Sequence, residues 1–498
     1  MDHWQCERLN EITQHGDQNR LTMEKERFIA EFAGWLQQGT AALFVGAGLS
    51  RIAGYPDWRT LLKDIADELQ IDLDQEHDLA GVAQWYINKS GRVKTRIGQV
   101  IRNSFPDKIE VPEAHRILAR LSVQHVWTTN YDKLLERAWA LQRRGLHVTA
   151  LQSDLSVSVP WSDTTLYKMH GTVDHPTDIV ISTDDYERYR KMRASFLQLL
   201  NGHLIGLHFL FLGFSFTDPN IGHLLGLIRE SQEDTPTQHY AIVRKPAKGE
   251  GPNSDRLSQY DKSRHAHWVN DLQRYGINCV EVDHFDDVPV LLRELEARVA
   301  RHSVFVSGSY PESRRDLHRF DVEEIATLVG RTISENGLRL VSGFGLTVGS
   351  AVTSGVLSNL YATEFPSLDR RMFLRPFPQV IPNGFDKAKF QRRYREDMIR
   401  QAGVCVYIAG IKEDNGTLVT APGVLEEFEV ARELGKTLIP VACTGGAAAE
   451  IWARLNSEGG APSARLPEEI FRRLGENQLS KEDASKTIVD ALEAATKA

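Results

Sequence analysis

The chain reads as an α/β protein made of two doubly wound domains in tandem. Three observations predict this. Short, nearly continuous apolar runs alternate with helical patterns, as buried parallel strands flanked by helices do. That alternation closes on a charged helical segment, Val288–Arg301, and then starts afresh, which places a boundary near residue 300. Each half also carries a glycine-rich turn directly after an apolar run, where open α/β sheets hold their ligands. A length of 498 residues fits two or three domains with ample core.

Residues 1–25 are polar and without clear period, an arm or an extra helix. The first domain, 26–299, has strand candidates Ala41–Val45, His125–Thr129, Leu166–Met169, His208–Gly213, His239–Arg244 and Asn278–Val282. Between the first two lies a helical stretch, roughly residues 58–120, long enough for a small module over the sheet edge. In the second domain, 300–498, the candidates are Ser303–Val306, Leu338–Ser342, Met372–Phe377, Val404–Ala409 and Thr437–Val441. No repeat of solenoid period is evident.

Composition narrows the function. A formal charge of -8 argues against a general nucleic-acid binder. The four cysteines, Cys6, Cys279, Cys405 and Cys443, form no CxxC pair, so neither a metal site nor a redox motif is expected. The most apolar run, Leu204–Phe216, is too short to span a bilayer and carries His208. The N-terminus lacks a signal-peptide core, and the expected location is the cytoplasm, with no membrane contact.

The most informative segment follows Ala41–Val45 and reads GAGLSRIAGYPDWR, residues 46–59. It resembles the sirtuin nucleotide loop, GAGxSxxSGIPDFR. Three later segments extend the resemblance in family order. Trp127-Thr128-Thr129-Asn130-Tyr131-Asp132 resembles the TQN-I-D segment, with Thr129 for glutamine and Tyr131 for isoleucine. Tyr167-Lys168-Met169-His170-Gly171 resembles the strand end that supplies the sirtuin histidine, and Gly213-Phe214-Ser215-Phe216-Thr217-Asp218 the GxS ribose loop.

The resemblance implies NAD+ as substrate. It places Ala47, Gly48, Ser50, Asp57, Arg59, Asp132, Gly213, Ser215 and Asp218 around the dinucleotide, and His170 and Asn130 at the reacting bond. Cleaving a nicotinamide–ribose bond builds positive charge on the ribose and needs a placed water and a proton acceptor. His170 suits the second role because imidazole titrates near neutral pH. The Asn130 amide can hold water or a ribose hydroxyl; Asp132 can face the carboxamide, and Ser50 and Ser215 can donate hydroxyls. Asp218 before Pro219 also suits a helix N-cap. The four-cysteine zinc module of the deacylase sirtuins is missing, which makes water the simpler acceptor.

The second domain has glycine turns of its own, Ser307-Gly308-Ser309 and Gly343-Phe344-Gly345, the latter leading into an apolar helix. Helix starts of this kind favour phosphate, although the glycines could equally serve close packing. Arg371, Arg375, Arg392, Arg393 and Arg395 form a basic cluster in an acidic chain. A solvated helix face accounts equally well for the last three. Ala421-Pro422-Gly423-Val424-Leu425-Glu426-Glu427 resembles a truncated PGGxGTxxE motif of the lonely-guy nucleotide hydrolases, a SLOG-like domain that binds without hydrolysing.

A sirtuin-like Rossmann-type domain with a helical insertion, followed by a Rossmann-like SLOG domain, resembles the effectors of bacterial Thoeris anti-phage systems. That resemblance implies an NAD+ glycohydrolase activated by a cyclic ADP-ribose isomer that a TIR-domain protein makes. The activator would meet Ser307, Gly308, Gly343, Gly345, Arg371, Arg375, Arg393 and Glu427. It further implies a homo-oligomer, a tetramer that could extend into filaments. The competing readings are a sirtuin-like deacylase or ADP-ribosyltransferase, and a catalytically silent nucleotide sensor.

Overall fold

The computed structural model describes residues 23–497 apart from 158, 217–220, 224, 227–228, 230–236, 247–253, 312–320, 346, 364–366, 379, 460–464 and 477–478. Two compact units divide it, Met1–Glu296 and Ala297–Ala498. The segment 1–22, most of the expected N-terminal arm, lies outside the described residues.

The first unit is built on seven strands: β1 Ala41–Val45, β2 His125–Thr128, β3 Leu146–Thr149, β4 Thr164–Lys168, β5 His208–Leu212, β6 His239–Arg244 and β7 Ile277–Val282. They pair in parallel in the order β3-β4-β2-β1-β5-β6-β7. A parallel sheet must be covered on both faces, which is why β1 is buried at every position. Ala42 and Phe44 pack with Trp127, Phe209 and Phe211 on one side. The chain leaves β1 toward β2 and returns with β5 on its other flank, so β1 and β5 bound the switch point.

The stretch after β1 forms the expected helical module, with helices Lys63–Leu69, Leu79–Lys89, Thr95–Ser104 and Glu113–Leu118. Its apolar faces converge: Leu62, Ile65, Val82, Tyr86, Ile97 and Ile101 form one cluster with Val173, Ile179 and Ile181 from the chain beyond β4. The module is therefore anchored on the segment that follows His170.

The second unit has five parallel strands, β8 Ser303–Ser309, β9 Arg339–Ser342, β10 Met372–Leu374, β11 Val404–Ala409 and, after a hairpin, β14 Thr437–Val441. Their order is β10-β9-β8-β11-β14. The hairpin strands are β12 Ile411–Asp414 and β13 Thr417–Thr420. Two strand expectations change for identifiable reasons. In the run Met372–Phe377 the regular strand ends at Leu374; Arg375 N and Phe377 N still donate to Ser342 O at 3.0 Å and Gly343 O at 3.2 Å, but Pro376 between them has no N–H for a ladder. The edge strand β3 and the hairpin were not expected, since neither has the buried face that marks a strand in sequence. The hairpin did carry a signal: Asn415-Gly416 turns with both residues at positive φ, 50° and 78°.

Candidate functional site

The carboxyl ends of β1, β2, β4 and β5 bring the marked loops of the first unit to one edge of its sheet. The turn after β1 leans on the turn after β5. Gly46 N donates to Leu212 O at 2.8 Å and Gly48 N to Gly213 O at 2.9 Å. A Cβ on Gly213, whose φ is +61°, would stand 2.2 Å from Leu49 N. The two loops thus approach each other closely, and their glycines set the floor of the crevice.

Over that floor sits a buried polar chain. Ser50 Oγ donates to Asp132 Oδ2 at 2.8 Å, and Asn130 Nδ2 donates to Ser50 Oγ at 3.0 Å. Asp132 Oδ1 accepts from Leu134 N at 2.9 Å, starting the helix Leu134–Leu141. The order of donors settles the amide. Since the single Ser50 proton goes to a carboxylate, the Asn130 atom facing Ser50 must be its nitrogen. Asn130 Oδ1 is then turned away, buried, and without a hydrogen-bond partner among the described residues. An orphaned buried acceptor is costly, about 1–3 kcal/mol, unless a ligand or water completes it.

The polar atoms of Ser50 and Asp132 meet each other, Asn130 and Leu134 N, and so hold the amide in its orientation. Thr128 completes the support: its Oγ donates to Val45 O at 2.7 Å and accepts from Asn130 N at 3.0 Å.

His170 follows β4, the strand beside β2, and is only 4% exposed. Tyr186 and Tyr189 stand edge-on to its ring, each with centroids 5.8 Å away. Gly171 turns the chain back at φ +90°, which lets Val180 N donate to His170 O at 3.0 Å. Tyr131, the residue in place of the family isoleucine, donates its hydroxyl to Val180 O at 2.6 Å.

The remaining expected contacts are more peripheral. Ala47 and Ser215 are exposed beside the crevice. Asp57 caps the turn Trp58–Leu61 through Thr60 N at 2.8 Å and pairs with Arg51 at 3.4 Å. Arg59 bonds Glu76 O at 3.3 Å. Asp218 lies outside the described residues.

Sequence reasoning passed over three groups. Lys168, fully buried, donates to Asp132 O at 2.5 Å, Tyr131 O at 3.3 Å and Glu136 Oε1 at 2.7 Å. Moving an ammonium out of water costs several kcal/mol, which those three acceptors offset. Glu136 is the second. His115 is the third: it is fully buried, burial pushes its pKa down to about 4, and the nearby Asp132 opposes that shift. No periodicity distinguishes a buried lysine or histidine from a surface one. The one available hint for Lys168 was a cation inside an otherwise apolar strand.

In the second unit the carboxyl ends of β8, β9 and β10 gather Ser307, Gly308, Gly343, Gly345 and Arg375. Ser307 Oγ donates to Glu427 Oε2 at 2.5 Å. Burial raises the Glu427 pKa, while Ser307 and Arg395 pull it down. Arg395 is buried, stacks over Phe377 at 4.6 Å and pairs with Glu426 at 2.6 Å, so it is no solvated face residue. Arg393 is exposed. Arg375 is exposed and lies over Phe373 at 4.5 Å. Gly308 serves packing, since a Cβ there would stand 2.3 Å from Ile408 O.

Arg371 does not join them. It donates to Leu338 O at 3.2 Å and Ser334 O at 2.8 Å, before β9 begins. It precedes β10, at the amino end of the sheet, whereas the glycine turns stand at the carboxyl end. Flanking a short strand put the two arginines at opposite ends of it.

Among the described residues no cluster of His, Cys, Asp or Glu could hold a metal, and no helix is long and apolar enough to cross a membrane. Residues 124–268 match the SIR2-like domain family, and residues 287–495 match the Sir2- and TIR-associating SLOG family. The NAD(+) hydrolase ThsA of Bacillus cereus (strain MSX-D12) is 35% identical over 476 residues, covering 94% of this chain and 98% of that protein. ThsA of Cytobacillus dafuensis is 36% identical over 439 residues, 87% of this chain and 88% of its own. ThsA of Enterococcus faecium is 34% identical over 439 residues, 87% of this chain and 91% of its own. Two matched domains in the same order, with similarity along nearly the whole length, lead to one assignment: the chain belongs to the ThsA family.

Proposed function

We propose that the first unit, taken as 26–299, hydrolyses NAD+ to nicotinamide and ADP-ribose. Its relatives bear the name NAD(+) hydrolase. The observation that carries the reading is the oriented Oδ1 of Asn130, without a hydrogen-bond partner among the described residues, at the end of β2 and one strand from His170. In this reading Asn130 Oδ1 accepts from the attacking water or from a ribose hydroxyl. The bond from ribose C1′ to the nicotinamide nitrogen breaks, and its electron pair leaves with neutral nicotinamide. Water bonds to C1′, and His170 takes the proton it releases. The Asp132 carboxylate behind the Asn130–Ser50 pair and the aromatic rings around His170 suit a reaction in which positive charge develops on the substrate's ribose.

The second unit, 300–498, is proposed as the sensor. A cyclic ADP-ribose isomer, made by a TIR-domain partner, binds near Ser307, Gly343, Gly345, Arg375, Arg393 and Glu427 and activates cleavage. Depletion of NAD+ then halts an infected cell. We place the protein in the cytoplasm as a homo-oligomer, with a tetramer as the first state to test. Incubating it with NAD+, with and without cyclic ADP-ribose isomers, and quantifying nicotinamide and ADP-ribose tests both halves. No nicotinamide under any condition overturns the hydrolase. Release that ignores the cyclic nucleotides overturns the sensor. Release that depends on an acetyl-lysine peptide favours a deacylase.

A further inference from the structure

We propose that Lys168 is a positioning residue for bond cleavage: its buried ammonium sets the spacing between the strand end that delivers His170 and the turn that delivers Asn130. Lys168 ends β4, opposite Thr128 of β2 in the parallel register. Beyond Thr128 the chain leaves the sheet; Tyr131 O accepts from Val173 N at 3.1 Å, and the carbonyls of Tyr131 and Asp132 both turn toward Lys168. Lys168 Nζ supplies both, at 3.3 and 2.5 Å, and places its third proton on Glu136 Oε1 at 2.7 Å.

The count matters. An ammonium has three protons, and all three are taken by protein acceptors. Lys168 therefore has no donor left for a substrate, and its effect must pass through the groups it holds. Those groups are specific. Thr128 fixes Asn130 from the N-terminal side through the Asn130 N–H, at 3.0 Å. Lys168 fixes it from the C-terminal side through the next two carbonyls. Two further bonds join the same segments, Met169 N to Thr128 O at 3.1 Å and Val173 N to Tyr131 O at 3.1 Å. These backbone bonds hold the strand ends together; the ammonium holds the turn between them. Glu136 keeps the charge in place from the first turn of Leu134–Leu141, where a carboxylate also suits the helix dipole.

A neutral side chain of similar length would leave the Asp132 carbonyl without its ammonium donor and the half-buried Glu136 carboxylate without its cation, while Val173 N would still hold Tyr131 O, and the turn around Asp132 would relax away from β4. A displacement of about 1 Å at reacting groups can cost on the order of 10²-fold in rate. Lys168→Met should lower kcat by about 10²-fold. KM should stay within about threefold, since no substrate contact is lost. Lys168→Arg retains the charge, but its planar fork fits three divergent acceptors poorly, so it should recover only part of kcat.

The kinetic arm rests on the NAD+-cleaving reading, and a second arm does not. Hydrogen exchange on the full-length chain should show faster exchange at 130–134 in Lys168→Met, with β1, β5 and β6 still protected. The cavity left by Lys168→Ala offers a further check: ethylamine in the assay should raise its kcat about tenfold and leave His170→Ala unchanged. Wild-type kcat in Lys168→Met overturns the proposal. So does exchange that rises across the whole sheet, because the lysine would then be a general structural group. Should the wild-type protein not cleave NAD+ at all, the proposed function fails while the exchange arm still decides: loosening confined to 130–134 supports positioning, and unchanged exchange there overturns it.

Discussion

The two units use the same geometry, glycine turns at the carboxyl edge of a parallel sheet, and fill it with opposite chemistry. In the first, the residues at the crevice are an amide, a hydroxyl and an imidazole, and the nearest cation, Lys168, is spent on backbone carbonyls. In the second, Arg395 sits buried between Phe377 and Glu426, Arg375 is exposed beside the turn after β9, and Arg393 is exposed on the helix Lys387–Ile399. The difference teaches how a shared frame is specialised. A pre-oriented amide backed by the Asp132 carboxylate favours a transition state whose positive charge the substrate brings. Cations over aromatic rings favour capture of an anion.

The strongest way to break this comparison is to remove the chemistry of the first unit. His170→Ala and Asn130→Ala should each reduce NAD+ cleavage by about 10²–10⁴-fold, the usual share of general acid–base help. Thermal melts should stay near wild type, since neither side chain builds the core. Wild-type turnover by either folded variant would move the active site elsewhere.

The acid limb of stability comes next. The His115 pKa lies at about 4 in the folded chain against an ordinary 6.5. Between those values the unfolded chain takes up a proton that the folded one refuses. Stability from this group is therefore complete above about pH 6.5 and is lost as pH falls through about 4. The swing is worth roughly 3 kcal/mol. His115→Leu removes a ring neither of whose nitrogens has a hydrogen-bond partner among the described residues. Denaturant melts from pH 7 to 4 should show a shallower acid limb in that variant. An unchanged limb would mean that His115 is not the residue titrating.

How much of this was legible in the sequence depended on what each signal measures. Apolar runs report burial, so the buried strands β1, β6, β11 and β14 stand at their expected bounds, while the more exposed β12, β13 and β3 do not announce themselves. Motif order was enough to bring the loops carrying Gly48, Asn130, His170 and Gly213 to one edge. It could not say where polar atoms would be spent. Ser50 stands in the middle of a hydrogen-bond chain that no motif announces. Charge patterns failed in the same way. Arg392 is tied up with Glu396 at 3.1 Å and with Glu433, as a surface residue would be. Arg395, three positions on, turns inward.

Within the second unit, Arg375→Ala sharpens the contrast. Losing one charge-assisted contact of about 1.5–3 kcal/mol should weaken the response to the cyclic nucleotide by roughly 10–100-fold in the concentration needed. NAD+ cleavage at saturating activator should persist, because the catalytic groups are untouched. Titrating the activator while following NAD+ loss checks this, and an unshifted curve would return Arg375 to the solvated surface.

Arg371→Ala is the matched control and the smallest expected effect. Its guanidinium donates to Ser334 O and Leu338 O at the end of the helix Val322–Glu335, where Ser334 O also accepts from Gly337 N at 3.0 Å. The residue is half-buried, so water can replace part of what is lost, and the cost should be about 1 kcal/mol of stability. Nothing in its position reaches the carboxyl edge where the activator is proposed to bind. The activator curve of Arg371→Ala should therefore overlay that of the wild type, with only a modest fall in Tm. A variant with unchanged Tm and a right-shifted activator curve would reverse the assignment. It would mean that the amino end of β10 takes part in sensing, and that the division between the two ends of this sheet is drawn in the wrong place.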